Sequence, residues 1–99
     1  MSNYNPKLIT GNDALTAAEN ILIELKHYFT STKFTIDTLD NRGEKIRIDW
    51  DGKLTCAEVS KIVAKYSLLV ADKENYPYTK LREDRSFNKM HGGVTLICY

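Results

Sequence analysis

The sequence predicts a small α+β domain: a three-stranded, mainly antiparallel sheet carrying two helices on one face, in the order α-β-β-α-β. Three observations lead there. Apolar residues recur at helical spacing over 13–29 and again over 56–66. Strict alternation of apolar and polar residues marks 33–38 and 45–50, with a turn between them. Finally, Gly92-Gly93 opens an apolar run, Val94 to Tyr99, that reads as a third strand.

Residues 1–11 are polar, contain Pro6 and Gly11, and read as a flexible lead-in; residues 12–99 form the single domain. In the first helix, Leu15, Ala18, Leu22, Leu25 and Phe29 form one apolar stripe, which Ile21, Ile23 and Tyr28 widen. Asn12 or Asp13 can cap its start, and Thr16 with Glu19 offers a second capping box. Thr30-Ser31-Thr32 ends it, because these side chains favour local backbone bonding.

In the hairpin that follows, Phe34 and Ile36 on one strand and Ile46, Ile48 and Trp50 on the other point inward. Asp40-Asn41-Arg42-Gly43 is the turn. Asp51-Gly52 makes the next one, and Thr55 with Glu58 is a capping box for the second helix, whose inward stripe is Val59, Ile62, Val63 and Tyr66. Residues 72–91 are weakly periodic and read as a long loop with a helical turn near 80–85; loops of that length in small domains are often functional.

Composition excludes several classes. The 99 residues suffice for one domain. Net charge is +1 and stays even along the chain, two bases against three acids over 1–32, seven against six over 33–71, five against four over 72–99. This gives none of the long-range field of a dedicated nucleic-acid binder. Apolar runs such as Leu68 to Ala71 are far below membrane-spanning length, and the polar start lacks a secretory signal. No membrane partner is expected, and a reducing host cytoplasm is the expected compartment.

Catalytic chemistry finds no purchase. His27, His91, Cys56 and Cys98 lie at no metal-ligand spacing, and the two cysteines read as core thiols. Asp49-x-Asp51-Gly52 has the opening rhythm of a calcium loop but lacks its later ligands. His91-Gly92-Gly93 beside Ser86 is not accompanied by a nucleophile elbow. No phosphate-cradling glycine motif occurs. The expectation is a non-enzyme with no cofactor and no metal.

Two patches are candidate partner-binding surfaces. The 72–91 stretch offers Tyr76, Tyr78, Lys80, Arg82, Arg85 and Phe87, residue types enriched in protein–protein hot spots. The outer face of the hairpin offers Lys33, Lys45 and Arg47, where cross-strand pairing with Asp37 and Asp49 is the plain alternative. Bases interleaved with aromatics also suit a single nucleic-acid strand, although Glu83 and Asp84 interrupt them.

From Glu24 to Tyr66 the chain resembles the large polyvalent protein-associated domain family of phages and conjugative elements. The resemblance rests on Lys33-Phe34, Gly43, Ile46, Trp50-Asp51-Gly52, Thr55, Glu58-Val59 and Ile62 to Lys65, with a looser match at the closing strand. Trp50 abuts Asp51 where the family has a residue between, Lys53 stands in place of the usual Pro, and 67–91 departs from the pattern. The resemblance implies a mobile-element origin and no catalytic residues. With the small size, it leads to the expectation of a protein that binds and inhibits a host defence complex, of the anti-CRISPR or antirestriction type, with a CRISPR effector as one such partner. Alanine at Tyr78 and Arg82 together is expected to abolish inhibition at unchanged stability. The alternatives are a nucleic-acid-binding accessory domain and a homodimer joined through the edge strand at 94–99.

Overall fold

The computed structural model describes residues 7–42, 44–74 and 78–99. Helix α1 runs Ala14–Tyr28, and Asp13 caps it by accepting the Thr16 N–H at 2.9 Å. Its buried face differs from the expected stripe. Ala14, Ala17, Ile21 and Leu25 are buried together with Asn20 and Glu24, whereas Leu15 is 67% exposed and Leu22 and Phe29 are only partly covered. The helix is turned because two polar residues find partners inside. Asn20 meets Ile9 and His91, and Glu24 meets Lys65 and Tyr66.

Strands β1 (Phe34–Thr38) and β2 (Lys45–Trp50) form the expected antiparallel hairpin, with Ile36 opposite Ile48 and Asp37 opposite Arg47. Asp40 closes its turn by accepting the Glu44 N–H at 3.0 Å. Phe34, Ile46 and Ile48 are buried beneath the helices, while Thr35, Asp37, Lys45, Arg47 and Asp49 stay on the exposed outer face. Trp50 packs on Phe34 at 6.1 Å between ring centres and donates its indole N–H to Leu54 O at 3.0 Å, which fixes the bend into the next helix. Gly52 makes that bend at φ 116, a conformation that favours glycine.

Helix α2 (Cys56–Val63) carries on as a 3₁₀ turn over Ala64–Tyr66. Thr55 caps it as expected, accepting the Glu58 N–H at 3.2 Å. Val59, Val63 and Tyr66 enter the core with Ile62 beside them, the stripe read from the sequence.

Beyond Tyr66 the expectations need correction. The 72–91 stretch is not one long loop. Strands β3 (Leu69–Ala71) and β4 (Thr79–Leu81) form a second antiparallel hairpin, and a third helix, α3, spans Ser86–His91 rather than 80–85. Strand β5 (Leu96–Cys98) pairs with β2 in parallel, so the three-stranded sheet is mixed, in the order β1-β2-β5. A parallel return needs a crossover, and α2, the β3–β4 hairpin and α3 provide it. Three-residue strands are too short to show a period, which is why the sequence reads as loop there.

Of the lead-in, residues 9–11 are fastened down. Asn20 accepts the Ile9 N–H at 2.7 Å and donates to Ile9 O and His91 O, each at 2.9 Å, while the Gly11 N–H donates to Met90 O at 2.8 Å. Residues 1–6 lie outside the described residues. Gly92 ends α3 at φ 90, where a Cβ would stand 2.6 Å from Asp13 O and 2.9 Å from Ala17 Cα. Both the backbone conformation and the closeness of α1 require glycine there.

Candidate functional site

A polar hollow of about 460 Å³ lies at the α1–β1 connection, beside Lys26 and Thr30 to Phe34, and an apolar cleft of equal volume lies between β5 and the β3–β4 hairpin. Its origin is a divergence of two strands. Ser67 and Val94 form a single parallel bridge, with the Leu68 N–H on Val94 O at 2.8 Å and the Val94 N–H on Tyr66 O at 2.9 Å. Past that point β5 follows β2, β3 turns away to pair with β4, and the two belong to separate sheets. Leu69 and Val70 form one wall; Leu96, Ile97 and Tyr99 form the other. Arg82 is the charged residue among the described lining residues.

Large apolar side chains remain exposed in the elements that build this cleft. Tyr78 is 72% exposed and Leu81 56%, and Leu96 and Tyr99 are 43% and 42% exposed. Scattered exposed apolar residues need no explanation, and Ile9, Leu15, Tyr28, Leu39 and Met90 are others, but these four fall in the elements around one concavity.

The structure divides the residues singled out in the sequence. Tyr78, Lys80 and Arg82 lie on or beside β4, and of the three Arg82 lines the cleft. Lys80 forms an ion pair with Glu83 at 3.8 Å. Arg82 does not project freely: its Nε donates to Ser67 O and its Nη2 to Ala64 O, both at 3.1 Å, so it ties β4 to the end of the 3₁₀ turn. The expectation that Arg82 can be truncated without loss of stability is therefore corrected. Phe87 also differs from an exposed contact. It packs edge-on against Tyr66 at 5.0 Å and beside His91 at 5.1 Å, partly buried on the core. Arg85 is exposed on the far side of α3, beside a smaller hollow shared with Asn12, Lys89 and Gly93. Tyr76 lies outside the described residues.

Of the second patch, Lys45 and Arg47 sit on the outer sheet face, in register with Leu96 and Cys98 of β5. They therefore lie one strand in from the cleft, beyond β5, and do not line it. Lys33 precedes β1 at the other end of the hairpin and is separate from them. The sequence missed Leu81, Leu96 and Tyr99 as surface residues, because an apolar residue in a short strand reads as core until the covering layer is known.

The deepest polar cluster has a structural role. Glu24, 3% exposed, receives the Tyr66 hydroxyl and the Lys65 ammonium, the latter at 2.6 Å. Burial, and next the hydrogen bond to Glu24, push the Tyr66 phenol well above its ordinary range. Asn88, also buried, donates to Lys65 O at 3.0 Å and Gly92 O at 3.1 Å, locking α3 to the 3₁₀ turn. These groups bind one another, and of them Asn88 borders the small hollow beside Arg85. No group of three or more His, Cys, Asp or Glu that could hold a metal ion occurs among the described residues. Cys56 is exposed at the start of α2 and Cys98 is half-buried on the outer sheet face, so neither is the core thiol expected. Among the described residues no helix is long and apolar enough to cross a membrane.

Set against family models, curated proteins and solved structures, the chain matches none.

Proposed function

We propose that this chain is a non-catalytic binding protein of a phage or other mobile element that acts by seating on a host defence protein and blocking it. One observation carries the binding part of the reading: Tyr78, Leu81, Leu96 and Tyr99 stand exposed in the elements that flank the cleft. A standard interface takes about 800 Å² per partner, roughly a ninth of this chain's 7004 Å² surface. The cleft, the β3–β4 hairpin and the adjacent Lys45 and Arg47 supply such an area. The mobile-element part rests on the resemblance over Glu24 to Tyr66. Nucleic acid is the less favoured partner, since Phe87 is packed inward, Lys80 is paired with Glu83, and Arg82 is held by two carbonyls.

The experiment is capture of the tagged protein from a host carrying defence systems, after nuclease treatment, with the double variant Tyr78→Ala/Leu81→Glu beside the wild type. A host protein complex recovered in stoichiometric amount with the wild type supports the reading. The variant should lose it at a melting temperature within about 2 °C of the wild type, as expected for exposed side chains. Nucleic acid recovered alone from a parallel capture without nuclease, with salt-sensitive binding, would put the nucleic-acid reading in its place.

A further inference from the structure

We infer that the cleft receives an extended segment of the partner protein, which adds as a strand to the free edge of β5 and places a carboxylate beside Arg82. This inference rests on the proposed binding function and names how the partner would be held.

The main-chain geometry points to a strand. In the parallel pairing of β5 with β2, Leu96 directs its N–H to Glu44 O, at 3.2 Å, on the β2 side. Alternation along a strand then turns the N–H and C=O of Ile97 the other way, towards the cleft that Ile97 lines. Opposite, the corresponding edge of β3 is already occupied at Leu69. The Ser67 hydroxyl accepts the Leu69 N–H at 3.3 Å and donates to Leu69 O at 3.0 Å. At Leu69 one wall of the cleft is thus self-satisfied, while among the described residues β5 pairs with β2 alone and its other edge is open. Open edges pair readily with an added strand, the recognition mode in which main-chain bonds give affinity and side-chain pockets give specificity.

The cleft's lining sets the rest of the chemistry. Its volume of about 460 Å³ lies within the range of ligand-binding sites. Leu69, Val70, Leu96 and Ile97 suit alternate apolar side chains of the incoming segment. Arg82 forms no ion pair within 4.0 Å among the described residues, although it is near enough to Asp84 to help hold that carboxyl low, and its two bonds to carbonyls keep the guanidinium in place. A planar, pre-positioned guanidinium is suited to a carboxylate, so an apolar segment carrying Asp or Glu is the complementary occupant. A second copy of this chain suits the site less well, because the β3–β4 hairpin of each copy would have to share the same space.

The test titrates isotope-labelled protein with the blocked peptide Ac-Thr-Val-Asp-Val-Thr-NH₂ and follows backbone amide shifts. Three peptide variants accompany it: one with Lys in place of Asp, and two in which alternate amides are N-methylated, one set per edge of the peptide strand. Saturable shifts of the Ile97 amide at a dissociation constant of ~1 mM or tighter are expected, as befits a short unconstrained strand. The Lys peptide should bind roughly tenfold more weakly, and Arg82→Gln should erase that difference. Methylation of one edge should abolish binding while methylation of the other leaves it. The idea fails if the unmethylated peptide causes no shift at Ile97 up to millimolar concentration. It fails equally if both methylated peptides bind like the parent, or if the free protein is a dimer with Ile97 already protected. Should Arg82→Gln not fold, the Asp-against-Lys comparison on the wild type decides the charge requirement alone. Peptide binding without any captured host protein would sink the proposed function and leave the strand site standing. A captured partner whose binding leaves the Ile97 amide unshifted would do the reverse.

Discussion

Replacement of Asn20 by alanine probes the contact that joins three separate parts of the chain. Its side chain is fully buried and makes three hydrogen bonds of 2.7 to 2.9 Å, to both main-chain groups of Ile9 and to His91 O. Each neutral bond contributes about 1 kcal/mol net, so their loss costs about 3 kcal/mol, with a further increment where His91 O is left unpaired. A chain of this size is stabilised by roughly 5–15 kcal/mol in total, so the change is a large fraction. Urea unfolding followed by tryptophan fluorescence should show the midpoint falling by about 1–3 M at constant slope. The melting temperature should drop by roughly 12–24 °C. Hydrogen exchange at Ile9 and Gly11 should accelerate more than exchange in β2, because the lead-in is released first. Asn20→Asp keeps the acceptor for the Ile9 N–H but turns the donor into a carboxylate oxygen facing two carbonyls. At neutral pH it should destabilise at least as much as alanine, and recover part of the loss in acid as the carboxyl protonates. A cost below about 1 kcal/mol for Asn20→Ala would refute the reasoning, since water would then be replacing the clasp.

The remaining predictions use other parts of the fold. Gly92→Ala should cost more than about 3 kcal/mol or prevent folding in a thermal-melt assay, because the added Cβ meets α1 backbone at a positive φ. Leu15→Gln should leave stability within about 0.5 kcal/mol, whereas Ile21→Ala should cost roughly 2–5 kcal/mol; equal costs would mean the helix faces the other way. The Asp13 carboxyl is held below its ordinary value by its side-chain hydrogen bond to Thr16. A depressed carboxylate contributes stability that is present above its unfolded value and lost as pH falls through its folded one, so Asp13→Asn should flatten the acid limb of a stability–pH curve. The Tyr66 phenol is shifted the other way, so the folded state retains a proton that the unfolded state releases above about pH 10. Tyr66→Phe should therefore lose stability at neutral pH, by about 1–3 kcal/mol, and fall less steeply in alkali.

The candidate site was legible only in fragments. Tyr78 and Arg82 drew notice because their residue types favour interfaces; Arg82 lines the cleft and Tyr78 stands exposed just before β4. Phe87 drew notice for the same reason and packs inward, since Tyr66 presents it with an aromatic edge that the linear sequence does not place nearby. Leu96 and Tyr99 escaped notice because the third strand's apolar run resembles any buried strand. Their exposure follows from β3 turning away to pair with β4, a choice made between segments remote in sequence.

Local chemistry alone determined the hairpin of β1 and β2, the caps at Asp13 and Thr55, the bend at Gly52 and the inward stripe of α2. Each depends on residues within a few positions of one another, where spacing and backbone preference decide the outcome. The rotation of α1, the parallel placement of β5 and the cleft depended on tertiary structure. Asn20 and Glu24 are polar residues outside the apolar stripe, and they can be buried only because Ile9, His91, Lys65 and Tyr66 arrive to satisfy them. A buried polar group is tolerable only with its partners, and here those partners stand from 11 to 71 residues away along the chain.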